Sequence, residues 1–197
     1  MIAGIVTLLA LAALVASLTW LHLQPTGLSP MRNAVSQYGI SAYRGGYRVA
    51  TLAFAVAGIA LAVGISARLH ARAHTVEVLL VVFAAARSVI SWFPMDEPGT
   101  ERTATGRRHG LLAIAAFASV TAAAFKLSRV LTHATVWHQF APVSSGLGWL
   151  MLALLLAMGL RRSLPQLGPW FGGIERAFYA AAIIWCTVIA IACVTSG

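Results

Sequence analysis

The sequence predicts an all-α fold, an integral membrane bundle of six transmembrane helices, on three observations. Of 197 residues, 59% are hydrophobic and only 10% charged, whereas an ordinary soluble domain carries about 25% charged residues and about half apolar ones. Such a chain cannot cover a water-soluble globule with charge, and it is far too apolar to be disordered. Six apolar stretches approach the length, about 20 residues, that crosses a hydrocarbon core about 30 Å thick. Between them stand clusters of glycine, proline and arginine that interrupt helices.

The first stretch, residues 2–23, has no basic segment before it, which argues for a retained helix and against a cleaved signal peptide. Residues 24–46 hold Pro25, Gly27, Pro30, Gly39, Gly45 and Gly46, too many breakers for a continuous helix. The second span is expected over 47–69 and, after a short link near 70–75, the third over 76–93. Pro94, Pro98 and Gly99 then make a rigid turn, and the loop 94–108 ends in Arg107 and Arg108. The fourth span covers 109–131, and a short link at 132–141 leads to the fifth at 142–160. Arg161, Arg162, Pro165, Gly168 and Pro169 mark a loop at 161–173 before the sixth span, 174–195. There is no internal repeat and no second domain, so residues 1–197 are expected to form a single six-helix domain. Small residues four apart, at Ala12/Ala16, Ala53/Ala57 and Ala60/Gly64, together with the alanine-rich fourth span, suit close helix contact in lipid. Cys186 and Cys193 lie about 10 Å of helical rise apart, too far for a disulfide, and read as small apolar fillers.

Chain reversal at each span puts the loops 24–46, 94–108 and 161–173 on one face, called here the long-loop face. It collects Arg32, Arg44, Arg48, Arg102, Arg107, Arg108, Arg161, Arg162 and Arg176, against Arg68, Arg72, Lys126 and Arg129 opposite. The positive-inside rule then places the long-loop face in the cytoplasm, and spans of this length suit a bacterial inner membrane. The formal charge of +9 points to anionic lipid head groups as partners. No nucleic-acid partner is expected, because no Lys/Arg run exceeds two residues. Oligomeric state is not legible.

The same alternation gathers His22, Ser36, Tyr38, Asp96, Glu97, His109, Glu175 and Arg176 at the long-loop face. Two readings of this set differ in chemistry. In one, Arg87, Arg107, Arg108, Tyr38, Glu175 and Arg176 surround a polar pocket for a lipid head group or similar amphiphile, since helix starts and arginines favour phosphate. In the other, Ser36, Asp96 and His109 are catalytic groups of a metal-dependent lipid hydrolase, with His22, Asp96 and His109 as ligands to zinc and Ser36 or Tyr38 stabilising charge. A third class, a structural subunit, leaves all of them to hydrogen-bond loop backbone and fix helix ends.

Arg87 is the least expected charge. It lies about 9 Å inside the third span, with Ser91 one turn on, and intramembrane charges usually face protein or water and have a partner. Asp96 and Glu175 are the candidate partners, and snorkelling to the head groups is the alternative. At the opposite face His70, His74, Glu77, His133 and His138 gather by topology as a weaker candidate metal set, with Glu77 expected to pair with Lys126 or Arg129.

Several short motifs occur in a particular order: His22-Leu23-x-Pro25, Ser36-Gln37-Tyr38-Gly39, Trp92-Phe93-Pro94-Met95-Asp96-Glu97-Pro98-Gly99, Gly106-Arg107-Arg108-His109-Gly110, and Glu175-Arg176 with Trp185. Through them the chain resembles, over almost its whole length, the prokaryotic membrane-protein family known as domain of unknown function 998. That resemblance implies a compact six-helix membrane bundle and no particular activity. Family members typically read Ser-Glu-Tyr where this chain has Gln37. A more distant likeness, to the alkaline ceramidase and adiponectin-receptor superfamily, implies Ser, Asp and His holding zinc near a membrane face. That superfamily has seven spans and a paired histidine motif in its last helix, whereas residues 174–195 contain no histidine.

Overall fold

The computed structural model describes residues 1–134, 137–161 and 163–195, the side chain of residue 71 apart. Among these there is no strand, and six long helices follow one another: α1 Ile2–Leu23, α2 Arg44–Leu69, α3 His74–Val89, α4 Ala104–Leu131, α5 Ala141–Leu160 and α6 Phe171–Thr195. Alone or with a flanking 3₁₀ turn, each is long and apolar enough to cross a membrane. By helix length and composition the chain is a multi-pass membrane protein.

Helix starts lie earlier than hydropathy predicts: α2 begins at Arg44 rather than residue 47, α4 at Ala104 rather than 109, and α6 at Phe171 rather than 174. The turns added to α2 and α4 carry glycine and arginine and that added to α6 two glycines, and hydropathy sees only the part of a helix that sits in hydrocarbon. The consequence for the site is direct, because His109, Glu175 and Arg176 are carried on helices rather than at their edges. The first loop is not structureless either; it contains a 3₁₀ turn, Val35–Ile40, with Val35, Gln37 and Tyr38 buried.

Consecutive helices pack side by side, α6 closes the ring against α1, and α2 meets α6 across the interior. Accordingly 61% of the apolar window of α2 and 56% of that of α6 are buried, against 22% for α5. Close approach rests on small residues, as expected in lipid: Gly58 lies under the Phe83 ring, and Gly4 and Gly64 both face Cys193. The pair Ala12/Ala16 is instead exposed, on the outer surface of α1. Cys186 and Cys193 are free and buried. A buried relay ties three helices: Trp185 Nε1 on α6 donates to Ser144 Oγ on α5 (2.8 Å), which donates to the Ala124 carbonyl on α4 (2.8 Å).

Aromatic side chains from four helices fill the bundle toward the long-loop face. Phe54 meets Phe83 edge-on with centroids 4.8 Å apart, and Phe117 packs on Phe178 at 4.5 Å. Tyr179 lies 5.9 Å from both Phe54 and Phe117. This cluster is the floor on which the candidate site stands.

Candidate functional site

Three loops and five helices enclose a cavity of about 500 Å³ at the long-loop face. Arg32, Ser36 and Gln37 come to it from the first loop, Met95, Asp96 and Glu97 from the second, and Gly168 from the third. Arg87 on α3, His109 on α4, and Glu175 with Tyr179 on α6 form its deep end. Of the residues expected to converge by chain reversal, Ser36, Asp96, Glu97, His109 and Glu175 line the cavity, whereas His22, Tyr38 and Arg176 do not.

Arg87 is 1% exposed. It does not snorkel. Its guanidinium carbon lies 5.3 Å from the Tyr179 ring centroid and 5.7 Å from that of Phe54, so it caps the aromatic floor by cation–π contact. The Tyr47 and Tyr179 hydroxyls and the Glu175 carboxylate are its electrostatic neighbours. Yet among the described residues no carboxylate oxygen is within 4.0 Å of it, and its Nε and Nη2 have no hydrogen-bond partner. Asp96, the other expected partner, is engaged elsewhere, and the Ser91 hydroxyl is likewise buried and unpartnered.

Asp96 organises the start of α4. Its Oδ1 accepts from Thr103 Oγ1 (2.6 Å), and Thr103 Oγ1 in turn accepts from the Gly106 amide (3.0 Å), an N-cap with a carboxylate beside the positive helix end. A Cβ at Gly106 would collide with that carboxylate, so this position must be glycine for Asp96 to reach the cap. His109 Nδ1 donates to the Phe93 carbonyl (2.8 Å), holding the Pro94–Pro98 turn against α4.

Glu175 Oε2 accepts from the Val35 amide (2.8 Å) and thereby pins the first loop to α6. Gln37 Oε1 accepts from Asn33 Nδ2 and from the Ala34 amide, both at 2.9 Å. Both partners are donors, so a glutamate carboxylate at this position would accept the same two bonds. Ser36 Oγ donates to Met95 Sδ (3.1 Å), joining the first and second loops at the cavity edge.

Other expected site residues are used differently. His22 Nδ1 donates to the Leu18 carbonyl and its Nε2 accepts from Arg176 Nε (2.7 Å), so neither ring nitrogen is free to ligate a metal. Arg176 also donates through Nη1 to the Asn33 carbonyl (2.7 Å) and the Gly172 carbonyl (3.0 Å). It is a strut between α1, the first loop and α6, with Nη2 buried and unpartnered. Tyr38, 1% exposed, packs against His22 at 5.5 Å and does not line the cavity.

Arg107 and Arg108 are exposed and outside the cavity. The first donates to the Arg102 carbonyl (3.3 Å) and the second lies 5.8 Å from the Phe93 ring centroid. The expectation of one pocket ringed by all the arginines is therefore corrected, because the earlier start of α4 turns these two outward. Arg162 lies outside the described residues.

Among the described residues no three of His, Cys, Asp or Glu gather where they could hold a metal ion. The expected His22, Asp96 and His109 set is not assembled, and neither is the histidine set of the opposite face. There Glu77 lies 3.8 Å from His74 rather than pairing with Lys126 or Arg129.

Sequence reasoning missed Tyr47, Tyr179 and Phe117 as cavity residues. A signal existed for Tyr179, which stands four residues after Glu175 and so on the same face of α6. None existed for Tyr47 or Phe117, whose placement depends on how α2 and α4 rotate against α3.

Comparison with curated proteins and with solved structures gave no match. A family model described as Protein of unknown function (DUF998) matches residues 4–192. That match spans every ordered motif and every residue of the cavity, and the chain belongs to the DUF998 family.

Proposed function

We propose that the protein binds the anionic head group of a lipid or similar amphiphile in the long-loop cavity, with Arg87 as the anchor. The observation that carries this reading is a guanidinium that is 1% exposed, has two donors without acceptors and faces a cavity of about 500 Å³. Leaving such donors unmet costs about 1–3 kcal/mol or more for a charged group, and an anionic oxygen is the acceptor that Arg matches best.

The lining favours an amphiphile over a bare ion. Arg87, Glu175, His109 and Ser36 make one wall polar, whereas Ala113, Phe117, Met158 and Phe171 make another apolar. The exposed Arg32 and Arg102 stand at the rim, where they draw anions inward. The membrane we assign is the bacterial inner membrane, with this face in the cytoplasm.

Native mass spectrometry of the full chain, purified in a nonionic detergent, tests the reading. The wild type should retain a phosphate-bearing lipid, and Arg87→Gln should weaken retention by about tenfold or more, since a charge-assisted bond contributes about 1.5–3 kcal/mol. Arg107→Ala with Arg108→Ala should weaken it much less. Equal lipid retention by wild type and Arg87→Gln at equal folding would refute the assignment. No observation favours the zinc hydrolase or the structural subunit over it, since the ligand set is dispersed and two of the Arg87 donor nitrogens, Nε and Nη2, have no partner among the described residues.

A further inference from the structure

Two opposite charges are buried in the same cavity and do not meet. Arg87 is 1% and Glu175 5% exposed, both line the deep end, and each contributes to the other's electrostatic surroundings. Even so, no guanidinium nitrogen of Arg87 comes within 4.0 Å of a Glu175 oxygen.

A pair meant only to hold helices together would close to contact, because desolvated charges are repaid only at good geometry. Here each partner is held back by its own restraints. The Arg87 guanidinium rests on the Tyr179 and Phe54 rings, and Glu175 is tied through Oε2 to the Val35 amide. The arrangement presents a fixed donor set and a fixed acceptor set across a gap, with the Tyr47 and Tyr179 hydroxyls beside the donors.

We propose that the cavity selects a zwitterionic head group, in which a phosphate accepts from Arg87 and a primary ammonium donates to Glu175. This deepens the anion-site reading and rests on it. A primary ammonium fits better than a quaternary one, because a carboxylate acceptor needs N–H donors that a trimethylated nitrogen lacks. A purely anionic head group satisfies Arg87 but leaves Glu175 facing like charge. The shared chemistry is that of an aminoalkyl phosphate, supplied either by a membrane phospholipid or by a free solute.

The test compares affinities of the full chain in nonionic detergent for four probes: phosphatidylethanolamine, phosphatidylglycerol and phosphatidylcholine of matched acyl chains, and soluble phosphoethanolamine. Phosphatidylethanolamine should bind about tenfold more tightly than either other lipid, the scale of one charge-assisted hydrogen bond. Glu175→Gln should erase that preference by weakening phosphatidylethanolamine while leaving phosphatidylglycerol unchanged or tighter. Competition by phosphoethanolamine at matched affinity identifies a free solute as the source, and lack of competition identifies the lipid.

Phosphatidylglycerol binding as well as phosphatidylethanolamine to the wild type overturns the zwitterion proposal and leaves the anion site standing. Binding of no phosphate-bearing probe overturns the anion site itself. Should Glu175→Gln fail to fold, the wild-type comparison alone decides.

Discussion

Asp96 shows how one carboxylate is turned from a candidate ligand into a structural device. Prolines on either side fix its turn, Thr103 takes its oxygen, and the glycine at 106 opens the space it occupies. Gly106→Ala should therefore destabilise the protein by about 1–3 kcal/mol through overpacking, whereas Thr103→Ala should cost about 1 kcal/mol as a lost N-cap. Thermal melting in detergent measures both, and an unshifted midpoint for Gly106→Ala would show that the carboxylate does not sit against the helix. Gln37 makes a parallel case. Gln37→Met leaves the Ala34 amide without its acceptor and should cost about 1–3 kcal/mol, while Gln37→Glu keeps both acceptor contacts and should melt well above the methionine variant.

Among the elements, α6 carries the most varied load. Gly172 allows the first loop to lie directly on it, since a Cβ there would strike the Asn33 and Pro30 carbonyls, and the Gly173 amide donates to the Met31 carbonyl (2.9 Å). One turn further, Glu175 and Arg176 seize the same loop from two directions. Deeper still, Trp185 enters the relay through Ser144 to α4. Trp185→Phe should lower stability by at least about 1 kcal/mol, the net contribution of one buried hydrogen bond, and it should leave lipid retention at the Arg87 cavity intact. A loss of retention without a loss of stability would mean that the relay, and not the aromatic floor, sets the geometry of the site.

For the whole molecule, alternation across the bilayer is the organising fact. It brings the first loop, the Pro94–Pro98 turn and the start of α6 over a common cavity although they are far apart in sequence. Reporter tags inserted at exposed positions near Pro30 and Glu101, and a third near Pro165, should all report the same compartment, and a tag at His70 the opposite one. A split result between the first two loops would overturn the six-span topology and the cavity with it.

Much of the fold and part of the site were legible. Span number and order follow from apolar length, because hydrocarbon imposes about 20 residues on every crossing, and the gathering of Ser36, Asp96, His109 and Glu175 follows from parity alone. Arg87 stood out because a charge inside a span is costly wherever it points. Which way side chains turn is another matter, since it depends on helix rotation and on where each helix begins. A start five residues earlier sent Arg107 and Arg108 outward, and a strut from Arg176 consumed the ring of His22. Composition and periodicity thus determined a six-helix membrane bundle with an intramembrane arginine. Only tertiary packing decided that this arginine would be sealed against aromatic rings with two of its donor nitrogens unmet, because packing alone sets which polar groups come within hydrogen-bond reach.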